Sequence, residues 1–167
     1  MFYTRLLRIP LIWTIAVLGT MTPGPPDEDQ ANNAVQAAPD AELTQRLAQA
    51  EIVISGVVSA TARFEAQRPG FLSQHDPDWW QAAIGIETVE KGNVTAKTMA
   101  VLFANSSDIA WYRSPKIKKG DHGIWLLQSR DTFGKPVPGL AVVHPLDCQP
   151  ITELVRVRTL LKNATKK

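Results

Sequence analysis

Three histidines and their acidic neighbours are the residues whose meeting would matter most for chemistry. His75 stands in the run His75-Asp76-Pro77-Asp78, His122 follows Asp121, and His144 closes an apolar run. Neutral imidazole and carboxylate together suit zinc or another transition metal. His75, Asp76, Asp78, His122 and His144 are therefore the candidate ligands of a metal-dependent hydrolase. Their spacing matches no metal motif. The plainer reading of His75-Asp76-Pro77-Asp78 is a turn in which the Asp side chains hold nearby backbone N–H groups.

A second set is aromatic. Trp79, Trp80, Trp111 and Tyr112 flank two long polar stretches, while Trp125 sits in a continuous apolar run and belongs to the core. Exposed rings at Trp79, Trp80, Trp111 and Tyr112 would stack on a sugar and make a carbohydrate-binding or cell-wall-binding face. The alternative is that they plug the ends of the fold. Lys116, Lys118 and Lys119 form a small basic run that a solvated loop explains.

The motif-defined enzyme classes lack support, for there is no G-x-S-x-G, H-E-x-x-H or P-loop pattern. Cys148 is the one cysteine in the sequence, so neither an intramolecular disulfide nor a Cys-rich zinc site is available. No catalytic residue and no cofactor is assigned. Asn93-Val94-Thr95, Asn105-Ser106-Ser107 and Asn163-Ala164-Thr165 match glycosylation acceptors, which matter only in a eukaryotic secretory pathway.

The elements that must position these residues read as a small β-fold. Its centre is Ala82–Gly92, AAIGIETVEKG. Asp40 is placed to cap a helix over Ala41–Gln49, with Leu43 and Leu47 on one face. Ile52–Phe64 alternates, with apolar or small residues at even positions, as a strand does. Gly56 in its middle predicts a bend or the close approach of another backbone. Trp80–Lys91 is the second strand, with a bulge expected near Glu87–Thr88 because Val89 breaks the alternation. Gly92 predicts a tight hairpin into a third strand, Val94–Phe103. Gly123–Gln128 is the fourth strand, Ser129–Gly139 a loop and Leu140–His144 a short fifth strand. Pro150 opens a helix over Ile151–Lys162, with Leu154, Val155, Leu160 and Leu161 as its apolar stripe. About five strands at short spacing, with helices only at the ends, predict an all-β fold. Its architecture would be a five-stranded OB-like closed or partly open β-barrel with a short N-terminal and a C-terminal helix.

The opening helix running into AEIVISGVVS, the VEKG strand end and the Lys-Gly turn before GIWLL resemble the netrin module and the tissue inhibitors of metalloproteinases. The resemblance covers roughly Ala41–Leu161 and implies the OB-type barrel. The chain also resembles exported bacterial proteins with an HDP-x-W loop, here His75-Asp76-Pro77-Asp78-Trp79. The inhibitors chelate their target's zinc through an N-terminal cysteine, and this chain has none before Cys148. The inhibitory mechanism has no residue to carry it over.

At 167 residues, with 44% hydrophobic and 20% charged, the chain suits one globular domain. Arg5 and Arg8 precede 13 uncharged residues, Ile9–Met21, in the layout of a signal peptide. An uncleaved anchor is the rival, although the run falls short of a full span. Removal of residues 1–21 takes 18 basic residues to 16, equal to the 16 acidic ones. A neutral domain argues against nucleic acid. Residues 22–40 read as a disordered linker, 41–163 as the barrel domain and 164–167 as a tail. The expectation is an exported, non-catalytic binding or interaction module, periplasmic, in the cell envelope or extracellular. Its partner would be an unknown protein or glycan, and membrane contact would come only through an uncleaved N-terminal segment.

Overall fold

The computed structural model describes residues 40–65 and 75–164. The signal-like and linker segments up to residue 39, part of the loop before the second strand, and the last three residues lie outside them. Helix α1 (40–49) comes first. Six strands follow: β1 (Ile52–Arg63), β2 (Trp79–Lys91), β3 (Thr98–Ala104), β4 (His122–Arg130), β5 (Pro136–Val142) and β6 (Cys148–Pro150). Helix α2 (Leu154–Ala164) closes the described chain. Short 3-10 turns, Pro145–Asp147 and Ile151–Glu153, bracket β6.

Five strands hydrogen-bond in a closed cycle, β1-β2-β3-β5-β4, because β1 also pairs with β4. All pairings are antiparallel except β3 with β5. The fold is thus all-β with flanking helices, as the strand periodicity predicts. Ile54, Val58, Ala82, Ile84, Val101, Phe103, Trp125, Leu127 and Val142 come from all five strands and meet inside the ring. Residues one step along point the other way, as the pleat requires. Val53, Ile124 and Leu126 turn outward beneath α1 and α2, where Leu43, Leu47 and Val157 cover them. Leu102, Ala104 and Ala141 turn outward under Trp79 and Trp111.

Two features behave as the local pattern predicts. A Cβ on Gly56 would lie 2.1 Å from the Gly85 carbonyl oxygen, so only glycine lets β2 approach there. Glu87 is the extra residue between the Ser55↔Thr88 and Gly56↔Ile86 pairs, which is the expected bulge.

Other expectations are corrected. Gly92 does have φ +89°, but β2 and β3 separate after Gly85↔Thr98, with one further bond from Ile86 N–H to the Lys97 carbonyl. No tight hairpin forms, because the bulges in β2 bend its end along β1 instead. Strand β5 begins at Pro136, inside the expected loop. Its prolines are tolerated because the β4 ladder is interrupted between Arg130↔Pro136 and Gln128↔Ala141. Strand β6 is too short to show a period. Asp40 is already helical, and its carboxylate accepts from Arg156 Nε at 2.8 Å rather than capping α1. On α2, Leu154, Leu160 and Leu161 pack on the core as expected, but Val157 is the fully buried residue and Val155, 76% exposed, falls off the stripe. The first turn of the expected helix, Ile151–Glu153, is 3-10.

Candidate functional site

The three histidines do not assemble. His75 Nδ1 lies 3.0 Å from Asp108, His122 Nε2 lies 2.9 Å from Glu87, and His144 Nε2 lies 3.6 Å from Glu42. Each joins a different pair of elements. Among the described residues no three His, Cys, Asp or Glu side chains gather as a metal site. The set His75, Asp76, Asp78, His122 and His144 is therefore not brought together.

The segment around His75 acts as a clamp. The Trp111 indole N–H donates to the His75 carbonyl at 2.9 Å, and the Asp78 backbone N–H donates to Ser106 Oγ at 2.6 Å. The Asp78 carboxylate accepts from Arg63 and from the Trp80 indole, both at 3.1 Å, so it holds side chains rather than local backbone. Hydrogen bonds from the Ala110 backbone and from His75 pull the Asp108 carboxyl below its usual range. Lys116 completes the clamp by donating to the carbonyls of Ala104, Ser106 and Trp111. Burial lowers its pKa.

The aromatic set divides accordingly. Trp79 and Trp111 are 6% and 3% exposed and pack edge to face with centroids 5.7 Å apart. Trp80 is half-buried against Phe103. Tyr112 is the member with an exposed ring, and the Arg113 guanidinium lies 5.5 Å from its centroid. A stacking platform built from all four is not present in this geometry.

A polar groove of about 560 Å³ lies between α1 and the β4–β5 hairpin. One wall is the outer face of α1, where Glu42, Gln45, Arg46 and Gln49 recur at helical spacing. Glu51, Gln128, Arg130, Asp131 and Thr132 form the other. Asp147 organises the floor. It is buried, and it accepts from Arg46 Nε and Nη2 at 2.9 and 2.8 Å. It also accepts from the backbone N–H of Val143 at 3.0 Å and of His144 at 2.9 Å, and from the Gln128 amide at 3.3 Å. A planar guanidinium on a carboxylate fork is a strongly directional pair, so Arg46 is held in one orientation.

The rest of the groove is also internally matched. Arg46 Nη1 donates to Gln49 at 3.0 Å, and Arg130 donates to the Gly134 carbonyl at 2.8 Å. Glu51 accepts from the hydroxyl and the backbone N–H of Ser129, and these two bonds lower its pKa. Asp131 accepts from the backbone of Phe133 and Lys135. What remains for a ligand is exposed amide, at Gln45 and at the amide nitrogen of Gln49, beside the exposed Glu42 carboxylate and Thr132 hydroxyl.

Sequence reasoning passed over Arg46, Asp147 and the α1 face. The available signal was local: Pro145 at the start of a 3-10 turn with Asp147 closing a capping box on His144. The partner of Asp147, Arg46, lies 101 residues away, and no local pattern reports it. No protein-family model matches the chain, and no curated protein sequence matches it either.

Proposed function

We propose that this chain is an exported, non-catalytic binding module that holds a polar, largely uncharged ligand, a glycan strand by class, in the groove between α1 and the β4–β5 hairpin. The observation that carries this reading is the charge state of that groove. Its charges are offset within it, for Arg46 is paired with the buried Asp147 and Arg130 shares the groove with Glu42, Glu51 and Asp131, so a polyanion meets no net positive surface. Its exposed amides both donate and accept, which suits hydroxyl groups. The Cys148 thiol, the one strong nucleophile in the sequence, has its pKa pushed well up by burial, which favours the unreactive form.

NMR titration with neutral oligosaccharides and soluble cell-wall fragments tests the assignment. The side-chain amides of Gln45, Gln49 and Gln128 shift on binding, and the Gln45→Ala, Gln49→Ala double variant binds about tenfold more weakly, from two lost hydrogen bonds. Shifts confined to other regions, or turnover of an added compound, refute it.

Export rests on Arg5, Arg8 and the apolar run Ile9–Met21. Cell fractionation with N-terminal sequencing tests that part, and an intact chain retained in the cytosol would count against it. Kinship with the netrin module is likewise a proposal, supported by the Lys-Gly turns. Among the described residues no helix is long and apolar enough to cross a membrane.

A further inference from the structure

A second groove, of about 430 Å³, lies between the β3–β4 connection, the start of β4 and strand β6. Its character differs from that of the polar groove. Ile117 and Trp125 are buried in its floor beside the half-buried Cys148. Pro115, Pro145 and Pro150 line it as well, and they present rigid apolar edges without backbone donors.

Arg113 and Lys116 line this groove, the Lys116 ammonium already being held by three carbonyls, and two further cations, Lys118 and Lys119, follow in the same connection. Arg113 has its guanidinium over Tyr112 and donating to the phenol oxygen at 2.8 Å, which leaves its charge unneutralised. Lys118 and Lys119 are exposed between two lining residues, Ile117 and Asp121. Among the described residues neither ammonium has an ion-pair partner. Asp121 is the nearby acid, and its carboxylate already accepts the Lys118 backbone N–H at 2.7 Å. Strand β6 lines the groove and sits last in the hydrogen-bonded strand order, pairing with β4 alone. Among the described residues its other edge has no strand partner.

An apolar cleft, unneutralised cations and an open sheet edge are the three parts of one recognition mode. An extended peptide adds to the edge, its side chains fill the cleft and its charges meet the rim. We propose that this groove docks an extended acidic segment of a partner protein, with an apolar side chain in the proline-lined cleft and carboxylates on Arg113, Lys118 and Lys119. The reading is independent of the ligand assigned to the polar groove.

The backbone amides of Ile117 and Gln149, two residues that line the groove, make the site directly observable by NMR. The probe is a dye-labelled peptide with Leu and Phe spaced between Glu residues, titrated against the full chain by fluorescence anisotropy. Its counterpart carries Lys in place of every Glu. The acidic peptide binds, and at saturation it shifts the backbone amides of Ile117 and Gln149. Charge reversal at Lys118→Glu, Lys119→Glu weakens binding roughly tenfold or more, as does raising salt to about 0.5 M. Both positions are exposed, and an unchanged thermal midpoint confirms that the variant folds. The Gln45→Ala variant binds the peptide normally.

Any of four results overturns the proposal. The Lys peptide binds equally well, charge reversal has no effect, the backbone amides of Ile117 and Gln149 stay unshifted when peptide is saturating, or anionic phospholipid vesicles bind while the peptide does not. Loss of peptide binding in Gln45→Ala would move the site to the polar groove and overturn it too.

Discussion

Replacing Asp147 by Ala tests whether the polar groove is held from beneath. The carboxylate is 1% exposed and its guanidinium partner on Arg46 14%. Deleting it leaves a nearly covered cation without a counter-charge and strips the backbone N–H groups of Val143 and His144 of their acceptor. Breaking a buried pair from one side costs about 3–5 kcal/mol. Water entering the vacated space can serve the two N–H groups, so an expected loss of about 4 kcal/mol needs no further contribution. At about 4 °C per kcal/mol for a folded unit of this size, the thermal midpoint falls by about 16 °C.

Asp147→Asn keeps an oxygen for the backbone and loses the charge, so it costs about 2 kcal/mol. Arg46→Met leaves the covered Asp147 carboxylate with three donors but no counter-charge and costs about 3 kcal/mol. In the double variant the stranded cation is gone, so the loss is about 2 kcal/mol smaller than the sum of Asp147→Ala and Arg46→Met. Urea denaturation of the four proteins measures the cycle. A loss below about 1 kcal/mol for Asp147→Ala, or strict additivity, would show that the groove floor does not depend on this pair.

Gly56→Ala places a Cβ 2.1 Å from the Gly85 carbonyl oxygen and costs more than the about 1–3 kcal/mol of ordinary overpacking. Gly134→Ala has open space around it and meets only the strain of φ +77°, about 1–2 kcal/mol, so equal losses by calorimetry would refute the clash. Glu90 is held below its usual pKa by hydrogen bonds from Arg158 and Thr88, the first the larger cause. A depressed folded pKa means that its contribution is complete above the unfolded glutamate value of about 4.3 and fades as pH falls below it. Stability profiles of the parent and Glu90→Gln should therefore converge as pH falls below that value and separate above it, and a constant gap across the range would refute the linkage. Lys116→Met removes the ammonium that holds three carbonyls, so amide exchange across residues 104–114 quickens while the ring strands keep their protection. Unchanged exchange there would show that Trp79 and Trp111 suffice to seat the connection.

Much of the candidate site escaped a reading of local pattern because its partners are remote in sequence. Residue types and acidic neighbours marked His75, His122 and His144, yet each was drawn to a different carboxylate on a different element. Trp79 and Trp111 looked available as neighbours of polar loops. The fold instead sets them against each other on the outer face of β3 and β5, where the connection after β3 covers them. The groove floor depends on Arg46 meeting Asp147 across 101 residues, a pairing that no short window contains.

What the sequence by itself determined was local and periodic. Alternation along Ile52–Arg63 marked a strand, the lapse before Val89 marked a bulge, and Gly56 marked the place where two backbones come close. These follow from side-chain spacing and sterics over a few residues. Only the tertiary structure decided the closing β1–β4 pairing, the parallel register of β3 on β5, the existence of β6 and the burial of Val157 on α2 while Val155 faces out. Each of these is a choice among surfaces of similar local preference. It is made by which apolar faces can be covered together, a property of the whole chain and of no single segment.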